Sequence, residues 1–212
     1  MEQIKLFHAL AGAIVGLTGL AQILLKKGGK FHRLIGTTYF WSWLVVVVTG
    51  AMIGSMLIAL FGILGFYMAL TGYRFGHRRS VTIGLFDKGI VFAGLLFSFG
   101  TLAWGVYLLL TNGGDFAYVA LFFGAIFGLT TFKDFQEFVQ GKSIRKLSGH
   151  KMQWYFEHFG RMYISYIAAM TAFSVIQDVF GVTLLNWALP TVIGTALINL
   201  SNRKYYKQFQ IE

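Results

Sequence analysis

The chain alternates long apolar runs with short polar segments. Each run approaches the ~20 residues that an α-helix needs to cross the hydrocarbon core of a bilayer. The runs cover residues 4–25, 34–53, 56–74, 85–111, 116–138, 150–178 and 182–200. The second and third divide an uncharged stretch, Leu34 to Tyr73, in which Thr49-Gly50-Ala51 and Gly54-Ser55 offer a turn. The pattern predicts an all-α integral membrane helical bundle of about seven transmembrane helices, forming a single domain over residues 1–212.

The basic residues predict the orientation of these helices, because Lys and Arg collect on the cytoplasmic side of a membrane. In a seven-helix arrangement, 17 of the 18 basic residues fall on one side and Lys5 alone falls on the other. The 17 are Lys26, Lys27, Lys30, Arg33, Arg74, Arg78, Arg79, Lys88, Lys133, Lys142, Arg145, Lys146, Lys151, Arg161, Arg203, Lys204 and Lys207. We therefore predict an integral membrane protein with its N-terminus outside and its C-terminus inside the cell. Lys26-Lys27 follow the first run, whereas a signal peptide carries its charge ahead of it, so this run is predicted to stay as a helix.

Composition agrees with a membrane location. The chain is 56% hydrophobic and 12% charged, against roughly 25% charge in soluble domains. It has no cysteine, which excludes disulfides and thiolate metal sites. The net charge of +10 is spread between apolar runs, so nucleic acid is not an expected partner. Anionic lipid headgroups are expected at Lys142–Lys151 and Arg203–Lys207, and the longest polar stretch, Lys133–Lys151, is predicted as a cytoplasmic loop.

Small residues at helical spacing predict which helix faces point inward. The first helix carries Gly12, Gly16 and Gly19, with His8 one turn before and Gln22 one turn after. Other ionisable side chains lie on similar stripes of the later helices. These are His32, Asp87, Asp134 and His158. All four fall near cytoplasmic ends, whereas His8 falls near an outer end, so His8 is expected to be a separate feature.

Three segments carry a family resemblance. They read HALAGAIVGLTGLAQILLKKGGKFHRLIG (His8 to Gly36), FGILGFYMALTGYR (Phe61 to Arg74) and WYFEHFGRMYISYIAAMTAF (Trp154 to Phe173). Together they resemble a family of bacterial membrane proteins, common in the Bacteroidota, that is catalogued only as a domain of unknown function. The most specific patterns are His-Arg-x-x-Gly at His32 and His-x-x-Arg-Met at His158. The resemblance implies a location in a bacterial inner membrane, but it implies no activity. It implies that His8, His32, Asp134, Trp154 and His158 occupy family-typical positions.

One hypothesis from these residues is a b-type haem and a role in electron transfer. Such a haem in a helix bundle needs two histidines at similar depth on different helices, with small residues beside the flat ring. His32 and His158 meet that requirement. His77 is a less favoured ligand, because the basic segment Arg74–Arg79 around it suits solvent. No other metal site is expected.

Two further hypotheses stay open. A proton-coupled or small-solute transporter would use inward-facing ionisable residues such as Asp134. A non-catalytic accessory or scaffold subunit would need none of them for chemistry, and its partner would be a second copy or another membrane-complex subunit. In that case His32 and His158 would bond loop carbonyls or lipid headgroups, and Asp134 would pair with a local Lys or Arg. Asp87, Trp154 and Arg161 are further predicted inward-facing polar residues. Hydrolase, kinase and dinucleotide-binding motifs are absent from the sequence, so an enzymatic role, if there is one, is expected to be redox.

Overall fold

The computed structural model describes residues 1–54 and 56–211, with residues 56–58 described by their backbone alone. This part of the chain contains seven α-helices and no strand, which confirms the predicted all-α class. The helices are α1 (Glu2–Leu24), α2 (Lys30–Ile53), α3 (Met56–Arg78), α4 (Leu85–Leu110), α5 (Asp115–Asp134), α6 (Gln153–Gln177) and α7 (Thr183–Gln208). A π-helical turn, Phe135–Val139, continues α5.

Within the described residues, six helices are long and apolar enough to cross a membrane. They are α1, α2, α4, α5 with its π-helical turn, α6 and α7. The third predicted span, 56–74, begins at residues whose side chains lie outside the described set, as does Ser55 of the predicted turn. Six such helices in one chain are typical of a membrane-embedded protein.

Several helices differ in length from the apolar runs that predicted them. α2 begins at Lys30 rather than at 34, and α7 continues to Gln208 rather than ending at 200. Lys, Arg and Gln are good helix formers, so a helix continues into its polar flanks where hydropathy has already fallen. Thr49-Gly50-Ala51 is helical, and α2 ends instead at Gly54, whose φ of 79° is the left-handed conformation that glycine adopts at a helix C-terminus.

The first of two compact units comprises Met1–His77 and Tyr155–Glu212. Its core contains Val15, Tyr39, Trp43 and Ala69. Gly19 makes room there for Tyr166, because a Cβ at position 19 would lie 2.3 Å from the Tyr166 ring. Among the described residues, a Cβ on Gly12 or Gly16 would meet no atom within 4 Å, so the predicted inward stripe of α1 is wrong for these two glycines and holds at Gly19.

The second unit is Arg78–Trp154 and contains α4 and α5. The two helices pack closely through glycines, since a Cβ on Gly105 would lie 2.9 Å from Leu121 and a Cβ on Gly124 would lie 3.1 Å from Leu102. The predicted loop Lys133–Lys151 is shorter than expected. α5 and its π-helical turn extend to Val139, and the irregular segment covers 140–152.

A histidine pair as the candidate functional site

His32 and His158 face one another in the first unit. His32 lies in the first turn of α2 and His158 lies in the second turn of α6. Their ring centroids are 6.4 Å apart, and the ring planes are nearly perpendicular at 85°. Both side chains are half-buried. The structure therefore brings together the two histidines that the sequence offers as haem ligands.

His158 is held in one orientation by the backbone of α3. Its Nδ1 lies 2.8 Å from the carbonyl oxygen of Gly72. A carbonyl oxygen accepts only, so Nδ1 carries the proton and Nε2 keeps its lone pair. Glycine allows the close approach, because a Cβ on Gly76 would lie 2.4 Å from that same Nδ1. The fold thus fixes the nitrogen with which His158 can bind a metal.

His32 is positioned through the end of α1. The side-chain amide of Gln22 donates to the backbone carbonyl of His32 at 2.7 Å, and Gly36 one turn later faces the same Gln22. The ring nitrogen Nδ1 of His32 is buried and has no hydrogen-bond partner in the described part of the chain. A buried polar atom without a partner costs roughly 1–3 kcal/mol, which makes this nitrogen a candidate ligand atom.

Arg161 lies one turn after His158 and is only 4% exposed. Its guanidinium donates to Glu157 at 2.9 Å and 3.0 Å and to the Thr71 hydroxyl at 3.0 Å, and it lies 5.0 Å from the centre of the Phe75 ring. A buried charge needs this pairing. Arg161 therefore joins α6 to α3 and has its counterion on its own helix.

Lys27 brings positive charge to the histidine pair. It is half-buried in the connection between α1 and α2, and its ammonium donates to the carbonyl oxygens of Gln22 and, at 3.1 Å, of Ile23. Its charge acts on both His32 and His158. Burial lowers the pKa of Lys27, and the neighbouring charge of Lys204 on α7 lowers it further. Neither lysine pairs with a carboxylate among the described residues.

His8 and His77 make other contacts. His8 Nδ1 lies 2.9 Å from the Thr49 hydroxyl, and that hydroxyl is 2.6 Å from the Val45 carbonyl oxygen. The Thr49 proton therefore goes to Val45, and His8 donates to Thr49, which ties α1 to the far end of α2. His77 is exposed and stacks on Tyr73 at a centroid distance of 5.8 Å.

The other sequence-predicted residues belong to the second unit. Asp87 accepts from the Gly84 backbone at 2.9 Å and from Arg78 at 2.7 Å, which caps α4. Asp134 is 1% exposed and pairs with Arg145 at 2.5 Å. Trp154, the last residue of this unit, is half-buried. The two carboxylates thus have arginine partners within their own unit.

Glu137 is a buried residue that the sequence analysis missed. It is 8% exposed and accepts from the Arg145 backbone at 3.1 Å, from the Ser148 hydroxyl and from the Gln153 amide at 2.6 Å. These bonds attach the 140–152 segment to the end of α5. The π-helical turn that contains Glu137 has no marker in the sequence, because its apolar and polar residues do not differ from those of an α-helix end.

Across the described ranges, no group of three or more His, Cys, Asp or Glu side chains is placed so that it could hold a metal ion. Comparisons with protein-family models, with curated proteins and with solved structures found no match. The function is therefore inferred from the geometry of the chain's own residues.

Proposed function

We propose that this chain is a multi-pass membrane protein that holds one b-type haem between His32 and His158 and transfers electrons through it. The observation that carries the proposal is the spacing of the two rings. An imidazole nitrogen bonds a metal at ~2.0–2.1 Å, so two histidines that held one iron would have ring centres roughly 6 Å apart. The ring centroids of His32 and His158 are 6.4 Å apart.

The small number of ligands favours haem over a bare metal ion. A structural zinc site takes about four protein ligands. Haem supplies its own four nitrogens and needs only the two axial histidines. The Gly72 carbonyl that fixes His158 is the kind of acceptor that usually orients a metal-binding histidine. Without cysteine the chain cannot form the thioether bonds of a c-type haem, so the haem that we propose is not of that type.

Two histidine ligands also favour a particular chemistry. If His32 and His158 both held the iron, no position would be left for oxygen or another substrate, and the haem would supply one-electron transfer. We therefore propose an electron carrier rather than an oxygen-binding protein.

The proposed membrane arrangement has seven spans, with the N-terminus outside and the C-terminus inside a bacterial inner membrane. Six described apolar helices and the segregation of 17 of the 18 basic residues support it. In this arrangement the connection that carries Lys27 faces the cytoplasm. The histidine pair would then lie near the cytoplasmic surface, where a haem held by it would be close to an electron partner on that side.

A reduced-minus-oxidised visible spectrum tests the proposal. The protein is expressed in cells supplied with a haem precursor and purified in detergent, and we expect the bands of a low-spin b-type haem. His32→Ala and His158→Ala should each remove these bands. His77→Ala is the matched control and should keep them, because His77 is exposed and stacks on Tyr73.

Folding of each variant is checked by far-ultraviolet circular dichroism and by size-exclusion chromatography. His32→Ala is the cleaner variant, because the bond between His158 and Gly72 is unaffected. Added imidazole should restore its low-spin spectrum by replacing the missing ligand. Wild-type protein that shows no haem bands, even after titration with haem, overturns the proposal.

A further inference from the structure

We infer that the end of the first unit that carries the histidine pair is a docking surface for an acidic, water-soluble protein that carries one electron. This inference rests on the proposed function, and it names the kind of partner with which a haem held there would exchange electrons. The surface consists of six exposed basic residues, which we call the basic face: Lys26, Lys30, Arg33, Arg203, Lys204 and Lys207.

Contacts between α2 and α6 show that these two helices run in the same direction. His32 faces His158 near the start of both helices. Two turns later, the Tyr39 hydroxyl lies 2.7 Å from the Ser165 hydroxyl, with the same offset of 126 residues. The first turns of α2 and α6 therefore lie at one end of the unit, and Arg33, which follows His32 directly, is exposed at that end.

The last turns of α7 reach the same end. Tyr206 stacks on Phe156 with ring centroids 4.8 Å apart. Tyr205 contacts Phe159, the residue after His158, at a centroid distance of 5.6 Å. Exposed basic side chains of α2 and α7 therefore lie at the end that carries both histidines: Lys30, Arg33, Arg203, Lys204 and Lys207.

The charge of the basic face is not balanced by carboxylates. Among the described residues, none of its six cations forms an ion pair. The first unit has three described carboxylates, of which Glu157 pairs with Arg161. Glu2 begins α1 and Asp178 follows α6, so both lie at the opposite end. A surface of one sign attracts a partner of the opposite sign from solution and speeds their association.

The histidine pair lies near this end of its helices. At 1.5 Å per residue, His32 is roughly 3 Å from the start of α2 and His158 is roughly 8 Å from the start of α6. A lipid phosphate would also neutralise the cations, but it takes no electron, so the position of the histidines favours a carrier. In such a complex the carrier would lose one electron and the iron would gain it, with no atom transferred.

Stopped-flow spectroscopy tests the inference on haem-loaded protein in discs of neutral phosphatidylcholine. The probe is a reduced plant-type ferredoxin, an acidic [2Fe–2S] protein that gives one electron. We expect its rate constant for reducing the haem to fall about tenfold or more between low and physiological salt, because ions screen the attraction. Arg203→Gln/Lys204→Gln/Lys207→Gln should lower the rate constant at low salt about tenfold or more and make it less dependent on salt.

Three controls separate charge, location and fold. Arg203→Lys/Lys204→Arg/Lys207→Arg keeps the charges and should react with ferredoxin like wild-type protein. Lys5→Gln removes an exposed cation at the opposite end and should also react like wild-type protein. Reduction by duroquinol, which is uncharged, should be equally fast in all variants.

The outcomes separate the two proposals. If wild-type protein shows no haem bands even after titration with haem, the function fails and the inference fails with it. If haem is bound but wild-type protein and the glutamine variant react with ferredoxin at the same rate, the function stands and the inference is overturned. An equal loss of rate with duroquinol also overturns the inference, since the cations would then act on the fold. Loss of binding to phosphatidylglycerol vesicles, with an unchanged ferredoxin rate, would assign the basic face to lipid phosphate instead.

Discussion

Three polar residues on successive turns of α6 point at three partners on other helices. His158 bonds the Gly72 carbonyl, Arg161 bonds Thr71, and the Ser165 hydroxyl lies 2.7 Å from the Tyr39 hydroxyl. Helical spacing places His158, Arg161 and Ser165 on one face, because positions three and four apart share a side of a helix. It could not name the partners. A backbone carbonyl such as that of Gly72 has no residue-type signature, and it becomes an acceptor only where α6 packs against α3.

Arg161 and Glu157 provide the sharpest test at the residue scale. Their side chains are 5% and 15% exposed, so removing one charge leaves the other largely buried. We expect Arg161→Met to lower the free energy of unfolding by about 3–5 kcal/mol, because an uncompensated carboxylate is costly in this environment. The double variant Arg161→Met/Glu157→Gln should recover part of this loss. Thermal unfolding in detergent measures both, and a double variant no more stable than Arg161→Met would contradict the pairing argument.

At the scale of whole helices, hydropathy predicted which segments are helical, but the predicted positions of several helix ends were wrong. An apolar run reports the part of a helix in hydrocarbon, whereas hydrogen bonding continues the helix into polar residues, as at Lys30 and Gln208. The packing of helix pairs was predicted only in part. The small residues indicated close helix contacts. Among the described residues, Gly76 of α3 makes such a contact and Gly12 of α1 does not, because a glycine allows close packing only where another helix lies opposite it.

The contact between α3 and α6 can be tested at Gly76. In Gly76→Ala the new Cβ would lie 2.4 Å from His158 Nδ1 and 2.7 Å from its Cε1, so the ring must move away from the Gly72 carbonyl. We expect a lower melting temperature and, in haem-loaded protein, loss or broadening of the low-spin bands. Gly12→Ala is the matched control, because a Cβ there meets nothing within 4 Å and alanine favours the helix by roughly 1 kcal/mol. Identical spectra and melting temperatures for Gly76→Ala and wild-type protein would contradict this geometry.

At the scale of the whole molecule, the sequence predicted the helical class but gave no sign of two compact units. The division at residues 78 and 154 falls beside ordinary basic segments, without a proline-rich or low-complexity linker. Apolar runs look alike whichever neighbours they pack against, so hydropathy alone cannot sort helices into units. The basic residues predict a different property, the orientation of the helices in the membrane, because their positions along the chain depend on topology rather than on packing.

The proposed orientation makes a prediction that the chain is well suited to test, since it contains no cysteine. Thr111, between α4 and α5, and Ser143, in the 140–152 segment, are both exposed. With the N-terminus outside, Thr111→Cys lies outside the cell and Ser143→Cys lies inside. A membrane-impermeant maleimide should therefore label Thr111→Cys in intact cells and Ser143→Cys only after the membrane is permeabilised. Wild-type protein is the unlabelled control, and a membrane-permeant maleimide shows that both cysteines react. The reverse pattern would mean that the orientation is inverted. Labelling of both positions from outside would mean that an even number of spans lies between them, which would contradict the single crossing assigned to α5.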